Sequence, residues 1–328
     1  MDNLTVKDLK PGDILLSPPP PFFKGGWMGQ IIVKITNGTT SHGALYIGPI
    51  NGKPTIAHAY VRGIEHLSLK DHFEVDNTPS CFVRRRDTPA DLSAVLEAAE
   101  KYVQSKSPLA KESFVILGLI LLSKRFSQNR LRNPVLHRFV TMLCIKLRKI
   151  LAGWLPNRTP DDNAMNCSQF VLQCFKDAGD DYKINFDRLK LEYDRAEGFL
   201  PLKSLIDYIN ISEPLQNNEG LMQTDNEELS PEILSPEEEK IVNDFIKMLD
   251  GSDQESSLIE VDDKFLQDNS TELARLIYIL ITGKDPHPGE DIDEFLLSNR
   301  DYIALPDDLL LNTQDLTDAG QITRSSLN

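Results

Sequence analysis

Cys167 opens the segment NCSQFVLQCFKDAG and could act as a nucleophile. Apolar residues such as Phe170 and Cys174 recur behind it at helical spacing. Asn166 or Asp162 could cap that helix, which would place Cys167 in its first turn. Backbone N–H groups there lack partners and carry the positive end of the helix dipole, so a thiolate is stabilised. Since Cys167 also shares a face with Phe170, a small buried core residue is the competing interpretation.

A cysteine nucleophile needs a base, and the sequence contains six histidines. His42 opens HGALYIG, whose alternating pattern predicts a strand, so its side chain could project over a cleft. His137 and His287 are assigned to exposed or structural positions. His66 and His72 are assigned to a turn-like stretch. His42 is therefore the candidate base.

The elements that must position these residues follow from the apolar pattern. Residues 1–90 alternate short apolar runs with turn signals and predict the strands DILLS, GALYIG, PTIAHAYV and CFVRRR. Helical spacing predicts helices over residues 90–104, 112–126, 134–152 and 166–178. The expected fold class is α+β, with a small, mainly antiparallel sheet packed on helices.

The order of five fragments resembles a known superfamily. PGDILL, SHGALYIG, a following strand that contains His58, an xVRR strand and NCSQFV occur in the order seen in circularly permuted papain-like cysteine hydrolases. These form the NlpC-type superfamily, which includes YiiX-like proteins and the lecithin:retinol acyltransferase group. The resemblance covers about residues 8–180. It implies a permuted papain-like fold, Cys167 as nucleophile, His42 as base, His58 as third member, and no metal or organic cofactor.

The hairpin between the two histidine strands decides whether His58 can serve. If Asn51 and Gly52 form a two-residue type I′ turn, Leu45 lies opposite His58, which then faces away from His42. An odd loop or a β-bulge shifts the register by one residue and brings His58 to the face of His42. The triad therefore requires one of these two features. Glu65 is the fallback for the third residue.

Charge divides the chain into two parts. The net charge is −15, and residues 201–328 contain 8 basic and 29 acidic residues, which leaves residues 1–200 with a net charge of +6. We expect a catalytic domain over 1–200, an acidic linker over 201–232 and an acidic helical module with a disordered tail over 233–328. The segment SPEEEKIVNDFIKML of this module begins with a capping-box pattern, Ser235 to Glu238, and predicts a helix. The dominant negative field argues against nucleic acid as a partner.

The catalytic domain contains an apolar, basic helical insert at residues 107–160. Within it, residues 113–160 include nine basic and no acidic residues, and VLHRFVTMLCIKLRKILAGWL carries a broad apolar stripe. The run FVILGLILL is far too short to span a bilayer. Three interpretations stay open: core helices that cover the sheet, a surface over 113–158 that binds an anionic membrane, or a docking surface for the acidic module.

The predicted function is that of a cysteine hydrolase or acyltransferase acting on an amide or ester bond through a thioester. A lipid or acyl substrate is slightly preferred. A peptidase, isopeptidase or deamidase acting on a protein is the first alternative, and a catalytically inactive binding module is the second. The N-terminus shows no Sec signal and the four cysteines show no CxxC spacing, so we expect a cytoplasmic protein without structural zinc. A non-Sec route, as bacterial effectors use, would leave no N-terminal signal.

Overall fold

The computed structural model describes the chain in ten segments and a few single or paired residues. The segments are residues 2–20, 27–36, 38–60, 62–75, 78–87, 91–108, 165–187, 234–250, 286–291 and 304–327, and the remaining described residues are 135, 138–139, 142, 278, 282, 294–295 and 298. The chain forms two compact units, the first with residues 1–110, 161–192 and 300–328, the second with residues 111–160 and 193–299. Within the described segments, no helix has both the length and the apolar character needed to cross a membrane.

The first unit is built on a seven-stranded sheet. Its strands are β1 (Asn3–Leu4), β2 (Ile14–Ser17), β3 (His42–Ile50), β4 (Lys53–Tyr60), β5 (Gly63–Ser68), β6 (Ser80–Arg85) and β7 (Thr317–Thr323). They lie in the order β1-β7-β6-β2-β3-β4-β5. All neighbours pair antiparallel except β1 and β7. This confirms the α+β class and the mainly antiparallel sheet.

Five described helices belong to this unit. They are α1 (Trp27–Thr36), α2 (Leu69–Val75), α3 (Ser93–Ser105), α4 (Cys167–Asp177) and α6 (Pro306–Leu311), and α5 (Pro236–Asp250) belongs to the second unit. The predicted helices at 90–104 and 166–178 are confirmed as α3 and α4. The predicted helix at 112–126, most of the one at 134–152 and the linker at 201–232 lie outside the described residues.

Alternating residues of the strands face two separate apolar clusters. The cluster beneath α3 and α4 includes Leu16, Leu45, Ala57, Val95, Phe170 and Phe175. The cluster beneath α2 includes Leu15, Ala44, Ile56, Leu69, Phe73 and Cys81. Side chains of a strand alternate between its two faces. From His42 to Tyr46 in β3 and from Ile56 to Tyr60 in β4, the even-numbered residues therefore face α2. This rule assigns the two candidate histidines to the α2 face.

The C-terminal strand corrects the predicted domain organisation. β7 lies between β1 and β6, so residues 304–327 belong to the sheet unit and not to a separate acidic module. The prediction of a disordered tail is therefore wrong. Gly320 shows why the insertion is possible: its φ is 126°, and a Cβ there would lie 2.5 Å from the carbonyl oxygen of Asp2, the residue before β1. Only glycine permits that close approach without strain.

The second unit brings the basic insert and the acidic region together at one described contact. The ring of Phe139 stacks on Phe245 of α5, with centroids 3.8 Å apart and planes 3° from parallel. Both rings are buried. α5 begins with the predicted capping box, in which the Ser235 N–H donates to Glu238 Oε2 at 2.7 Å and the Glu238 N–H donates to Ser235 Oγ at 3.3 Å. The Phe139 contact supports the interpretation in which the acidic module docks on the insert.

Candidate active site

The β3–β4 hairpin contains both the two-residue turn and a bulge. Asn51 and Gly52 have φ values of 51° and 75° and join the pair Ile50–Lys53, which corresponds to a type I′ turn. The register then shifts between Tyr46 and Gly48, so one extra residue of β3 is left unpaired. As a result, Ala44 lies opposite His58. The turn alone would have turned His58 away from His42, and the bulge restores the required register.

His42 and His58 form a hydrogen-bonded pair on the α2 face of the sheet. His42 Nε2 lies 3.1 Å from His58 Nδ1. His58 is 2% exposed, and its ring stacks on Tyr60 with centroids 5.5 Å apart. If His42 Nε2 carries the proton and donates to His58 Nδ1, the other nitrogen of His42, Nδ1, is left to accept a proton. That is the tautomer a general base requires.

Glu65 lies next to this pair. In β5 it is the register partner of His58, and directly opposed residues of neighbouring strands place their side chains on the same face. The candidates His42, His58 and Glu65 thus occupy three adjacent strands. The fallback residue is a neighbour of His58 rather than a replacement for it.

Cys167 is the first residue of α4, as predicted. Asn166 caps the helix, because its side-chain oxygen accepts the Gln169 N–H at 2.8 Å. Burial raises the pKa of the Cys167 thiol, although the polar groups of Gly43 and Ser168 near the sulfur lower it. Burial has the larger effect, so the thiol is neutral at pH 7. The stabilised thiolate expected from the helix terminus alone is not the resting form.

The amide of Gly43 is available to Cys167 because of its place in β3. The Tyr46 N–H donates to the Asp13 carbonyl at 2.8 Å, on the β2 side. Since successive N–H groups of a strand point to opposite neighbours, the Gly43 N–H points to the β4 side. The pairing of β3 with β4 begins only at Ala44, so the Gly43 N–H lies beyond that ladder, at the end of β3 where the Cys167 carbonyl oxygen is 4.0 Å from the position of a Gly43 Cβ.

Cys167 and the His42–His58 pair therefore approach the start of β3 from opposite faces of the sheet. The apolar residues of α4 pack on the face that carries Leu45, whereas His42 belongs to the opposite face with Ala44. The first residue of α4 lies at the start of β3, where the Cys167 carbonyl oxygen is 4.0 Å from the position that a Cβ on Gly43, the residue after His42, would occupy. His42 and His58 thus form a hydrogen-bonded pair on one face, and Cys167 lies beside Gly43 at the same end of β3.

A third histidine belongs to the same cluster and was placed wrongly by the sequence. His72 is fully buried and lies in α2 rather than in a turn. Its Nε2 lies 2.8 Å from Ser17 Oγ and 3.7 Å from Cys81 Sγ. Its ring centroid lies 5.9 Å from that of His42. The helical spacing of Leu69, His72 and Phe73 was the signal that could have revealed a buried position.

His66 was also assigned to a turn, and it lies in β5. Its Nε2 is 3.0 Å from a carboxylate oxygen of Glu100. It is the register partner of Ala57, a residue of the apolar cluster beneath α3 and α4. His66 therefore lies on the sheet face opposite to His58 and takes no part in the histidine cluster.

Two other cysteines that the structure describes differ from Cys167 in burial. Cys81 and Cys174 are buried, whereas Cys167 keeps partial exposure. Burial raises the pKa of Cys174 well above its ordinary value. In the part of the chain that the structure describes, no group of three or more His, Cys, Asp and Glu side chains has the arrangement of a metal site.

The chain was compared with protein-family models, with curated proteins and with solved structures. None of the three comparisons finds a match. The chemistry of the site must therefore be inferred from its own residues and their geometry.

Proposed function

We propose that the chain is a cysteine hydrolase or acyltransferase that cleaves an amide or ester bond through a thioester on Cys167. The observation that carries the proposal is the 3.1 Å hydrogen bond between His42 and His58, together with a helix-terminal cysteine at the same strand end. A base held by a second polar group beside a nucleophile is the arrangement that nucleophilic catalysis requires. The proposal includes membership of the permuted papain-like superfamily, which the order of the sequence motifs supports.

The first half-reaction begins from a neutral thiol, because burial raises the pKa of Cys167. As the sulfur attacks the substrate carbonyl carbon, its proton passes to His42 Nδ1 and a C–S bond forms. The carbonyl oxygen becomes an oxyanion, which the backbone N–H of Cys167 in the first turn of α4 can stabilise. The C–N or C–O bond then breaks, and the leaving group takes the proton from His42.

The second half-reaction regenerates the thiol. A water molecule, or the hydroxyl or amine of an acceptor, gives its proton to His42 Nδ1 and attacks the thioester carbon. The C–S bond breaks, and the sulfur recovers the proton from His42. In both half-reactions, His58 accepts the hydrogen bond from the Nε2–H group of His42. This bond keeps His42 Nδ1 directed toward the reacting groups.

The substrate class follows from the sequence motifs. NCSQFV is similar to the cysteine motif of the acyltransferase group, so we place lipid or acyl esters ahead of protein amides. A protein-directed peptidase, isopeptidase or deamidase uses the same three residues and the same thioester. An assay panel should therefore contain one activated acyl ester and one activated peptide amide.

The test uses the full chain with p-nitrophenyl butyrate and with an alanine p-nitroanilide peptide. Intact-mass and peptide-level mass spectrometry then locate any acyl group. The variants are Cys167→Ser and His42→Phe. His66→Phe is the matched control, because His66 lies on the opposite sheet face and pairs with Glu100 at 3.0 Å.

We expect the acyl group on Cys167 and on neither Cys81 nor Cys174, which are buried internal references. The His42→Phe variant should slow acylation by about 10²–10⁴-fold, the usual contribution of a general base. The His66→Phe variant should retain the wild-type rate. Absence of acylation with both substrates, or an unchanged rate in His42→Phe, would refute the proposal and favour an inactive binding module.

A further inference from the structure

Asp307, in the short C-terminal helix α6, joins the end of the chain to the segment that leads into the active-site strand. Its side chain is 1% exposed. The backbone N–H groups of Thr39 and Thr40 donate to Oδ1 at 3.0 and 2.7 Å, and the Thr39 N–H is also 3.1 Å from Oδ2. The hydroxyls of the same two threonines donate to Oδ1 at 3.2 and 2.6 Å. One carboxylate thus holds two consecutive residues by backbone and side chain.

This arrangement constrains the start of β3. Bonds to an ionised carboxylate are about twice as strong as neutral ones and are strongly directional. Thr40 is itself 1% exposed, so water cannot easily replace the carboxylate. The next residue, Ser41, donates its N–H to the Ser17 carbonyl at 2.9 Å. The chain is therefore fixed on both sides of Thr40 immediately before His42.

The same helix also contacts the strand just beyond His42. A Cβ at Gly43 would lie 3.9 Å from Leu309 Cδ1, and Leu309 is fully buried. α6 thus holds the residues before His42 through Asp307 and packs against the residue after it through Leu309. Gly43 is also the residue beside Cys167, whose carbonyl oxygen lies 4.0 Å from the position of a Gly43 Cβ. The positions of both proposed catalytic residues therefore depend on this stretch of β3, because His42 belongs to it and Cys167 lies beside it.

We propose that Asp307 is a positioning residue for the active site. It fixes Thr39 and Thr40 so that His42 keeps its hydrogen bond to His58 and Gly43 keeps its place beside Cys167. The inference rests on the proposed function for its catalytic consequence, but its structural consequence can be measured without any substrate. It assigns a site role to the acidic C-terminal region.

The test compares Asp307→Asn with Asp308→Asn in the full chain. Asp308 is the adjacent residue of α6 and is also fully buried. Its carboxylate accepts the Leu305 N–H at 2.8 Å and the Asn312 side-chain amide at 2.8 Å. It therefore serves as a matched control for the loss of one buried negative charge in α6. Thr40→Val, which removes only the 2.6 Å hydroxyl bond, is the second variant if Asp307→Asn does not fold.

The first readout is independent of activity. Histidine-selective ¹⁵N labelling, assigned with His42→Phe, follows the exchange with water of the ring N–H shared by His42 and His58. We expect exchange to be at least tenfold faster in Asp307→Asn, less than threefold faster in Asp308→Asn, and intermediate in Thr40→Val. An exchange rate in Asp307→Asn and Thr40→Val equal to that of Asp308→Asn would overturn the inference.

The second readout is turnover of p-nitrophenyl butyrate. We expect kcat to fall about tenfold in Asp307→Asn while KM changes less than twofold, since a positioning defect affects the chemical step more than binding. If the ring N–H exchanges faster but the wild-type chain has no turnover, the positioning role stands and the proposed function fails. If the wild type turns over and Asp307→Asn keeps its kcat, the proposed function stands and the positioning role fails.

Discussion

The Asp13→Asn substitution tests whether the PGDILL motif is structural. Asp13 is 1% exposed. Its two carboxylate oxygens each accept a bond from Arg85, from Nε and from a terminal nitrogen, both at 2.7 Å. The Lys10 N–H donates to the same carboxylate at 2.8 Å. Asparagine keeps the shape and can still accept the Lys10 bond, so the substitution removes mainly the ion pair between Asp13, the residue before β2, and Arg85 of β6.

The expected cost follows from the burial of the two partners. Removing one partner of a buried ion pair costs about 3–5 kcal/mol, because the other charge is left uncompensated. Arg85 retains 18% exposure and a bond to the Asp8 carbonyl at 2.9 Å, so we expect the lower end, about 3 kcal/mol. For a unit of this size the corresponding decrease in Tm is about 6–12 °C. Such a loss is a large fraction of the stability of one domain.

The assay must report on the first unit alone. The chain has two tryptophans, Trp27 in the first unit and Trp154 in the second, so a Trp154→Phe background makes fluorescence specific for the sheet unit. Urea unfolding then gives the free energy for Asp13→Asn, Arg85→Met and the double variant. Asp180→Asn is the control, because its pair with Lys183 is exposed and should contribute nothing measurable.

The double-mutant cycle decides the outcome. We expect a coupling energy of about 2 kcal/mol between Asp13 and Arg85, within the range for residues in direct contact. A loss below about 1 kcal/mol for Asp13→Asn, or a coupling energy below about 0.5 kcal/mol, contradicts the assigned role. The PGDILL motif would then have no structural role through this ion pair.

Three further predictions concern the fold. Deleting residues 304–328 removes β7 and five Leu and Ile side chains that are at most 6% exposed. Because burial of each side chain contributes about 2 kcal/mol, the deletion should abolish the cooperative unfolding of the first unit. A cooperative transition in the deletion variant would refute this prediction. Burial raises the pKa of Cys174, so above about pH 8.5 the native state keeps a proton that the unfolded chain loses. The free energy of unfolding should therefore fall as pH rises, by at most about 1.4 kcal/mol per pH unit. Urea titrations at pH 8–10 should show a shallower slope in Cys174→Ala, and equal slopes would contradict this. Gly320→Ala should cost about 2–3 kcal/mol, since its Cβ would lie 2.5 Å from Asp2, whereas Gly52→Ala, with open space around it, should cost about 1 kcal/mol.

Local rules predicted several elements correctly. Asn166 caps α4 and Ser235 with Glu238 caps α5, because a capping bond involves residues only three positions apart. Alternation of apolar residues predicted β2, β3, β4 and β6 for the same reason, since each strand shows its pattern within its own residues. The turn at Asn51 and Gly52 also formed as its dipeptide predicts.

The site required information that no local pattern contains. The bulge between Tyr46 and Gly48 decides which face His58 occupies, and it depends on how β3 pairs with two neighbours at once. His72 joins the cluster only because α2 packs on the sheet. The raised pKa of Cys167 reflects everything that surrounds the sulfur, whereas the sequence showed only the helix terminus.

The C-terminal region shows the same division most clearly. The sequence determined that residues 201–328 are acidic and that α5 is an amphipathic helix, because composition and periodicity are properties of the segment itself. Only the tertiary structure decided that β7 lies between β1 and β6 and that Asp307 holds Thr39 and Thr40. The strand TDAGQIT has little apolar character, and its place is fixed by hydrogen bonds to strands from the start of the chain. Pairing between residues that are hundreds of positions apart depends on the shape of the whole folded unit, and one segment alone does not encode it.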